Sequence, residues 1–174
     1  YELSRRREKG LDVAWKNAFD VLHSPAIGSI SALGVLLMVI FLIWLVTALT
    51  IYQMTIGAVE PSSVGEFITQ IMTTSAGWML IVVGCGVGFV FAVIVLAISV
   101  VSFPMLLDKD VSAALAVQTS VKVITTNPVP MAAWGIIVAG SLVIGSIPFF
   151  VGLCVVMPVL GHSTWHLYRK VVAD

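Results

Sequence analysis

Long stretches of uncharged, apolar residues follow one another along the chain. Residues 27–50 and 78–103 contain no charged side chain, and each is longer than the roughly 20 residues that an apolar helix needs to cross a bilayer. A third apolar region, residues 131–165, has room for two shorter spans joined in a hairpin near Pro148. The pattern predicts four transmembrane helices, with three as the alternative. The four predicted spans are residues 27–50, 78–103, 131–147 and 148–168.

Shorter segments outside these spans place polar and apolar residues at helical spacing. Residues 9–23 would form a helix with one apolar face, which is typical of helices that lie in the membrane interface. Residues 112–126 predict a comparable helix with a weaker pattern, because Ala, Val and Thr dominate both of its faces. Residues 62–74 show the same pattern and predict a short helix on the outer surface. The expected fold class is therefore an all-α integral membrane protein, with residues 1–174 as a single membrane domain.

The two interfacial segments resemble each other in how they end. Each finishes in a short polar residue followed by proline, at Ser24-Pro25 and Asn127-Pro128, and each runs directly into a span. Superposing the two prolines also aligns Val21 with Ile124. Two interpretations stay open, namely two parallel repeat units of the kind found in membrane folds, or the chance similarity of apolar sequences.

The composition excludes a soluble globular protein. Apolar residues make up 59% of the chain and charged residues 10%, against about 25% charged residues in soluble domains. The mean hydropathy is +1.08, so the lipid bilayer is the expected partner. The formal net charge is zero, which gives no attraction to nucleic acid. Since the chain starts at Tyr1, we expect it to be part of a longer polypeptide.

The basic residues are distributed unevenly. All nine fall before the first span, between the second and third, or after the fourth, and these regions share one side of the membrane if the span count is even. The positive-inside rule assigns that side to the cytoplasm, so both termini are predicted to be cytoplasmic. The nine are Arg5, Arg6, Arg7, Lys9, Lys16, Lys109, Lys122, Arg169 and Lys170.

Two pairs of residues are candidate sites. Gly84 and Gly88 form a GxxxG face that lets another helix approach closely, either within this chain, which is the favoured interpretation, or in another subunit. His162 and His166 share one helix face and could chelate a metal ion. The favoured interpretation places these histidines in the anchoring belt at the membrane interface, where His23 is also expected.

Catalytic chemistry is not indicated. No Asp, Glu, Lys or Arg lies inside a predicted span, which argues against ion-coupled transport. Asp108 and Asp110 are expected to be solvated charges rather than an acid–base pair. The sequence therefore predicts no enzyme activity and no cofactor.

The chain resembles a bacterial family of integral membrane proteins, the domain of unknown function 2189 family. The resemblance covers most of the chain, is strongest from the second span onward, and is carried by residues 102–111, 127–128, 131–135 and 158–169. Some members are labelled as cytochrome c oxidase subunits. All three histidines here are predicted at the membrane edge, so the catalytic form of that label does not fit.

The missing chemistry and the Gly84/Gly88 face together predict an accessory role, with which the resemblance is compatible. The expected function is a non-catalytic accessory or structural subunit of a complex in the bacterial inner membrane, either respiratory or another energy-converting assembly, with other membrane-protein subunits as partners. The alternative is a small transporter or channel. It is motivated by the parallel repeat and by Pro158 within the fourth span.

Overall fold

The computed structural model describes residues 1–11, 24–57 and 61–172. Helices make up most of these residues, and no strand occurs among them, so the predicted all-α class is confirmed. The eight helices of the described part are α1 (Glu2–Glu8), α2 (Ile27–Thr55), α3 (Val64–Thr73), α4 (Ser75–Ser99), α5 (Ser102–Asp108), α6 (Ala113–Thr126), α7 (Pro128–Ser146) and α8 (Leu153–Val172).

Three helical segments in the described part are long and apolar enough to cross a membrane. They are Ile27–Thr55, Ser75–Asp108 and Pro128–Ser146. They contain the first two predicted spans and all of the third except its last residue. The predicted fourth span lies in α8, whose mean hydropathy is lower because its second half carries histidines and basic residues. The chain is thus a helical membrane protein, with three candidate spans among its described residues, and the count of four stays a prediction.

The boundary between α7 and α8 differs from the predicted one. We expected the fourth span to begin at Pro148, whereas α8 begins at Leu153. Phe149 and Phe150, which follow the proline, have φ angles of 48° and 65°. Residues with positive φ cannot continue a right-handed helix. Phe149 and Phe150 therefore extend the turn beyond Pro148. Pro158 lies inside α8, as predicted.

Interfacial segments are described only in part. The predicted helix at 112–126 is α6, and Ser112 caps it by accepting a hydrogen bond from the Leu115 N–H at 3.3 Å. Most of the predicted helix at 9–23 lies outside the described residues, as does His23. The repeat therefore stays a prediction, since its first interfacial helix cannot be compared with α6.

The chain divides into two compact units. Unit 1 contains residues 1–34 and 96–174, and unit 2 contains residues 35–95. Unit 1 holds a hydrophobic core built around Trp165 and Tyr168, each 1% exposed, with ring centroids 5.6 Å apart. The other buried members are Leu33, Val100, Val101, Met105, Leu106, Ala116, Val123 and Met131.

Unit 2 carries the outer-surface helix predicted at 62–74, which is observed as α3. Ser63 Oγ accepts a hydrogen bond from the Glu66 N–H at 3.2 Å, and Glu66 Oε2 accepts from the Ser62 N–H at 2.8 Å. The Ser62 hydroxyl donates to the same oxygen at 2.5 Å. These reciprocal bonds resemble a capping box. The bonds from the Ser62 hydroxyl and the Ser62 N–H stabilise the ionised carboxylate and lower the pKa of Glu66.

A break between α4 and α5 lies inside the core of unit 1. Pro104 lacks an N–H and clashes with the carbonyl of the preceding turn, so α4 cannot run straight into α5. Val101, which is fully buried, donates its N–H to Ser120 Oγ of α6 at 3.2 Å. Ser102 Oγ donates to the Ile98 carbonyl. The α6 serine thus accepts a hydrogen bond from the interrupted backbone.

Replacing Ser120 with alanine should destabilise this junction. Without the hydroxyl, the buried N–H of Val101 loses its acceptor, which costs about 1–3 kcal/mol. Denaturant titration of the purified protein in mixed micelles measures the free energy of unfolding. Thr119→Ala is the matched control, because the Thr119 hydroxyl only donates to the Leu115 carbonyl of its own helix. An equal loss in both variants would contradict this role of Ser120.

Candidate functional site

Helix α1 is attached to α8 by the side chain of Glu8. Trp165 Nε1 donates to Glu8 Oε2 at 2.8 Å, and Arg169 Nε donates to Glu8 Oε1 at 2.8 Å. The two donors lie four positions apart on α8 and therefore share one helix face. One carboxylate thus joins the amino-terminal helix to the polar end of α8.

Three side chains lie close to the carboxylate of Asp108, the last residue of α5. Tyr168 donates its hydroxyl to Asp108 Oδ2 at 3.0 Å, and Arg169 Nη1 lies 3.4 Å from the same oxygen. Lys9 Nζ lies 3.8 Å from Asp108 Oδ1. We call Glu8, Lys9, Asp108, Trp165, Tyr168 and Arg169 the charged cluster. It brings residues from three distant parts of the sequence to one place.

The position of Asp108 corrects the sequence prediction. Asp108 and Asp110 were both expected to be solvated, but the Asp108 side chain is only 11% exposed, whereas Asp110 is exposed. The physical reason is that Asp108 ends a helix whose apolar residues Met105 and Leu106 are buried. That helix carries the carboxylate to the edge of the core. Its partners come from α8 and from the residue after α1, which no local pattern reveals.

A polar cavity lies next to the charged cluster. It has a volume of about 320 Å³. Arg5 lines the cavity. Its Nε and Nη2 atoms donate to the two carboxylate oxygens of Glu2, both at 2.8 Å. The cavity is lined by Glu2, Arg5, Arg6, Ser24, Pro25, Ala26, Leu106, Leu107, Asp108, Lys109 and Asp110.

The two predicted histidines are brought together. His162 Nε2 and His166 Nε2 lie 3.2 Å apart, and their ring planes make an angle of 87°. The other ring nitrogen of His162, Nδ1, lies 2.8 Å from Ser4 Oγ of α1. Among the described residues, no group of three or more His, Cys, Asp and Glu side chains could hold a metal ion.

The two glycines of the GxxxG motif have different surroundings within unit 2. A methyl group at position 88 would lie 3.9 Å from Trp44 Nε1, whereas one at position 84 would meet nothing within 4 Å. Gly84 instead lines a groove between α2 and α4 with a volume of about 210 Å³. Its other lining residues are Trp44, Ala48, Ile51, Leu80 and Val87.

The apolar helices and their charged ends define a helical integral membrane protein. The chain belongs to the family described as "Predicted integral membrane protein (DUF2189)", whose model matches residues 1–108. The matched range includes Glu8, Asp108 and the GxxxG motif, and it ends before α6. The sequence strings beyond Asn127 that also carried the resemblance lie outside it. No curated protein and no solved structure matches the chain significantly.

Removing the Asp108 carboxylate should loosen the charged cluster. In Asp108→Ala, Tyr168 and Arg169 lose a shared charged acceptor, and a hydrogen bond to a charged group contributes about 1.5–3 kcal/mol. Asp110→Ala is the matched control and should stay within about 0.5 kcal/mol of the parent, as exposed sites do. Both free energies of unfolding are measured by denaturant titration in micelles. Similar values for the two variants would argue against a stabilising role for Asp108.

Proposed function

We propose that this protein is a non-catalytic accessory or structural subunit of a complex in the bacterial inner membrane. The observation that carries the proposal is the groove beside Gly84 in unit 2. A glycine there leaves the α4 backbone uncovered, and close backbone approach is what transmembrane helix pairs use in place of a hydrophobic driving force. The proposed occupant of the groove is a transmembrane helix of a partner subunit.

The surroundings of the groove support a helix as its occupant. Its walls are almost entirely apolar, and its only polar side-chain group is the indole N–H of Trp44. A methyl group at position 88 would lie 3.9 Å from Trp44 Nε1, so this glycine faces a side chain of the same chain. Gly84 is the one that is open to a partner. The respiratory or other energy-converting nature of the complex rests on the family resemblance alone.

The transport alternative has less support. A transporter without charged residues in its spans needs hydroxyl, amide or backbone groups that converge on a cavity at membrane depth. The groove of unit 2 offers no such set. The accessory role is therefore the preferred proposal.

The proposed topology has four spans, with both termini in the cytoplasm. It is supported by the charged cluster, because Asp108 closes the second candidate span while Arg169 and Tyr168 lie near the end of α8. With α7 as a span, these contacts favour a return of α8 to the side on which α5 ends. Three basic residues, Lys9, Lys109 and Arg169, then lie together on the side that the positive-inside rule calls cytoplasmic.

Reporter fusions test this topology. A reporter active only in the cytoplasm should be active when fused after Asp174. One active only in the periplasm should be active when inserted between Glu60 and Ser63. Both outcomes follow from an even number of spans and from the location of the basic residues. A periplasmic carboxyl terminus would establish three spans and overturn the proposal.

Filling the groove should release the partner. In Gly84→Leu, the new side chain occupies the space of the partner helix, and we expect about a tenfold loss of co-migration on native gels after mild solubilisation, equivalent to about 1.4 kcal/mol. Gly86→Leu is the matched control, since a methyl group at position 86 also meets nothing within 4 Å, and Gly86 does not line the groove. Parent protein that migrates only as a monomer or homo-oligomer would refute the accessory role.

A further inference from the structure

The geometry points to a binding site for a divalent transition-metal ion, of the zinc class, between His162 and His166. This inference is independent of the proposed function, because it concerns unit 1 and needs no partner subunit. It goes beyond the sequence pattern, which showed only that the two residues share a helix face. Three observations carry it, namely the distance between the ring nitrogens, the orientation of His162 and the exposure of both rings.

The separation of the two Nε2 atoms suits metal coordination. Zinc binds histidine nitrogen at about 2.0–2.1 Å with tetrahedral geometry, which places two ligand nitrogens about 3.3–3.4 Å apart. The observed distance between His162 Nε2 and His166 Nε2 is 3.2 Å. In the metal-free protein, the same distance allows one Nε2–H to donate to the other nitrogen. When a metal ion binds, that proton moves through solvent to Nδ1 of the same ring, which frees the Nε2 lone pair for the ion.

Ser4 prepares His162 for this role. Its hydroxyl lies 2.8 Å from His162 Nδ1, and Ser4 is 8% exposed. When Nδ1 carries the proton and donates it to Ser4 Oγ, the lone pair of His162 is on Nε2, where a metal ion needs it. A hydrogen bond of this kind to the outer ring nitrogen accompanies almost all histidine ligands in proteins. Ser4 is thus a positioning residue supplied by α1.

Both imidazole rings are exposed, so water can complete the coordination shell. The only cysteine on α8 is Cys154, which lies about 12 Å from His162 along the helix at 1.5 Å per residue. A site of two imidazoles and water favours Zn²⁺, Ni²⁺ and Cu²⁺, whereas Mg²⁺ and Ca²⁺ prefer oxygen ligands. The nitrogen ligands therefore select these metals over Mg²⁺ and Ca²⁺. Because the site is exposed, the bound ion can exchange with ions in solution.

Metal titration of the purified full-length protein tests the inference. Zn²⁺ is titrated in competition with a chromophoric chelator, using protein prepared without a histidine tag, and Mg²⁺ serves as the control cation. We expect one Zn²⁺ per chain and no binding of Mg²⁺. The His162→Ala/His166→Ala double variant should bind Zn²⁺ at least tenfold more weakly. Ser4→Ala should weaken binding by about 10–100-fold, as the loss of an outer-shell partner does.

Two further variants separate coordination from folding. His166→Gln removes one ligand at an exposed position and should weaken Zn²⁺ binding while leaving the circular dichroism spectrum unchanged. Ser163→Ala, between the two histidines in sequence, should bind Zn²⁺ like the parent. Co²⁺ bound in place of Zn²⁺ should show the d–d absorption of a four-coordinate site, and His166→Gln should abolish it. Equal Zn²⁺ affinity in the parent and the folded His166→Gln variant would overturn the inference.

Discussion

A carboxylate that ends an apolar helix must find hydrogen-bond donors or remain in water, and Asp108 finds them inside the protein. Its side chain is almost buried, and it faces the Tyr168 hydroxyl, the Arg169 guanidinium and the Lys9 ammonium group. Burial of an unpaired carboxylate would cost several kcal/mol, so these partners must be in place when α5 packs. Tyr168 and Arg169 belong to α8, and Lys9 follows α1. The pairing of Asp108 therefore fixes where these segments lie in unit 1.

The charged cluster explains why the core of unit 1 lies at the polar ends of its helices. Trp165 shows this most clearly, since its ring is buried in the core while its indole N–H donates to Glu8. Trp and Tyr combine an apolar body with a polar tip, which suits the boundary between lipid and water. The two rings share one core with residues of α5 and α6. Trp165 donates to Glu8 of α1, and Tyr168 donates to Asp108 of α5.

Unit 2 follows a different rule, because its helices have lipid as their solvent. Large apolar side chains such as Val46, Phe89 and Met79 are exposed, as expected where lipid tails are as apolar as the side chains themselves. Burial then contributes little to helix association. Helix association then relies on close packing, which glycine permits because it has no side chain. A methyl group at position 88 would lie 3.9 Å from Trp44 Nε1, whereas one at position 84 would meet nothing within 4 Å.

The sequence alone determined the features that depend on local composition. Residues 27–50 are apolar enough to require lipid, and the resulting helix, α2, contains the whole predicted span, since length and hydropathy suffice for that prediction. The polar pattern of 62–74 and of 112–126 likewise predicted α3 and α6. Helical periodicity placed His162 and His166 on one face, because residues four apart on a helix are neighbours whatever the rest of the fold.

Only the tertiary structure decided which distant residues meet. The contacts of Glu8 with Trp165, of Ser4 with His162 and of Asp108 with Tyr168 join segments far apart in sequence, and no periodic pattern encodes them. The start of α8 was also decided there, since the turn through Phe149 and Phe150 runs past the point that Pro148 suggested. Hydropathy describes the solvent that each segment prefers. The pairing of buried polar groups depends on directions and distances that exist only after the helices have packed.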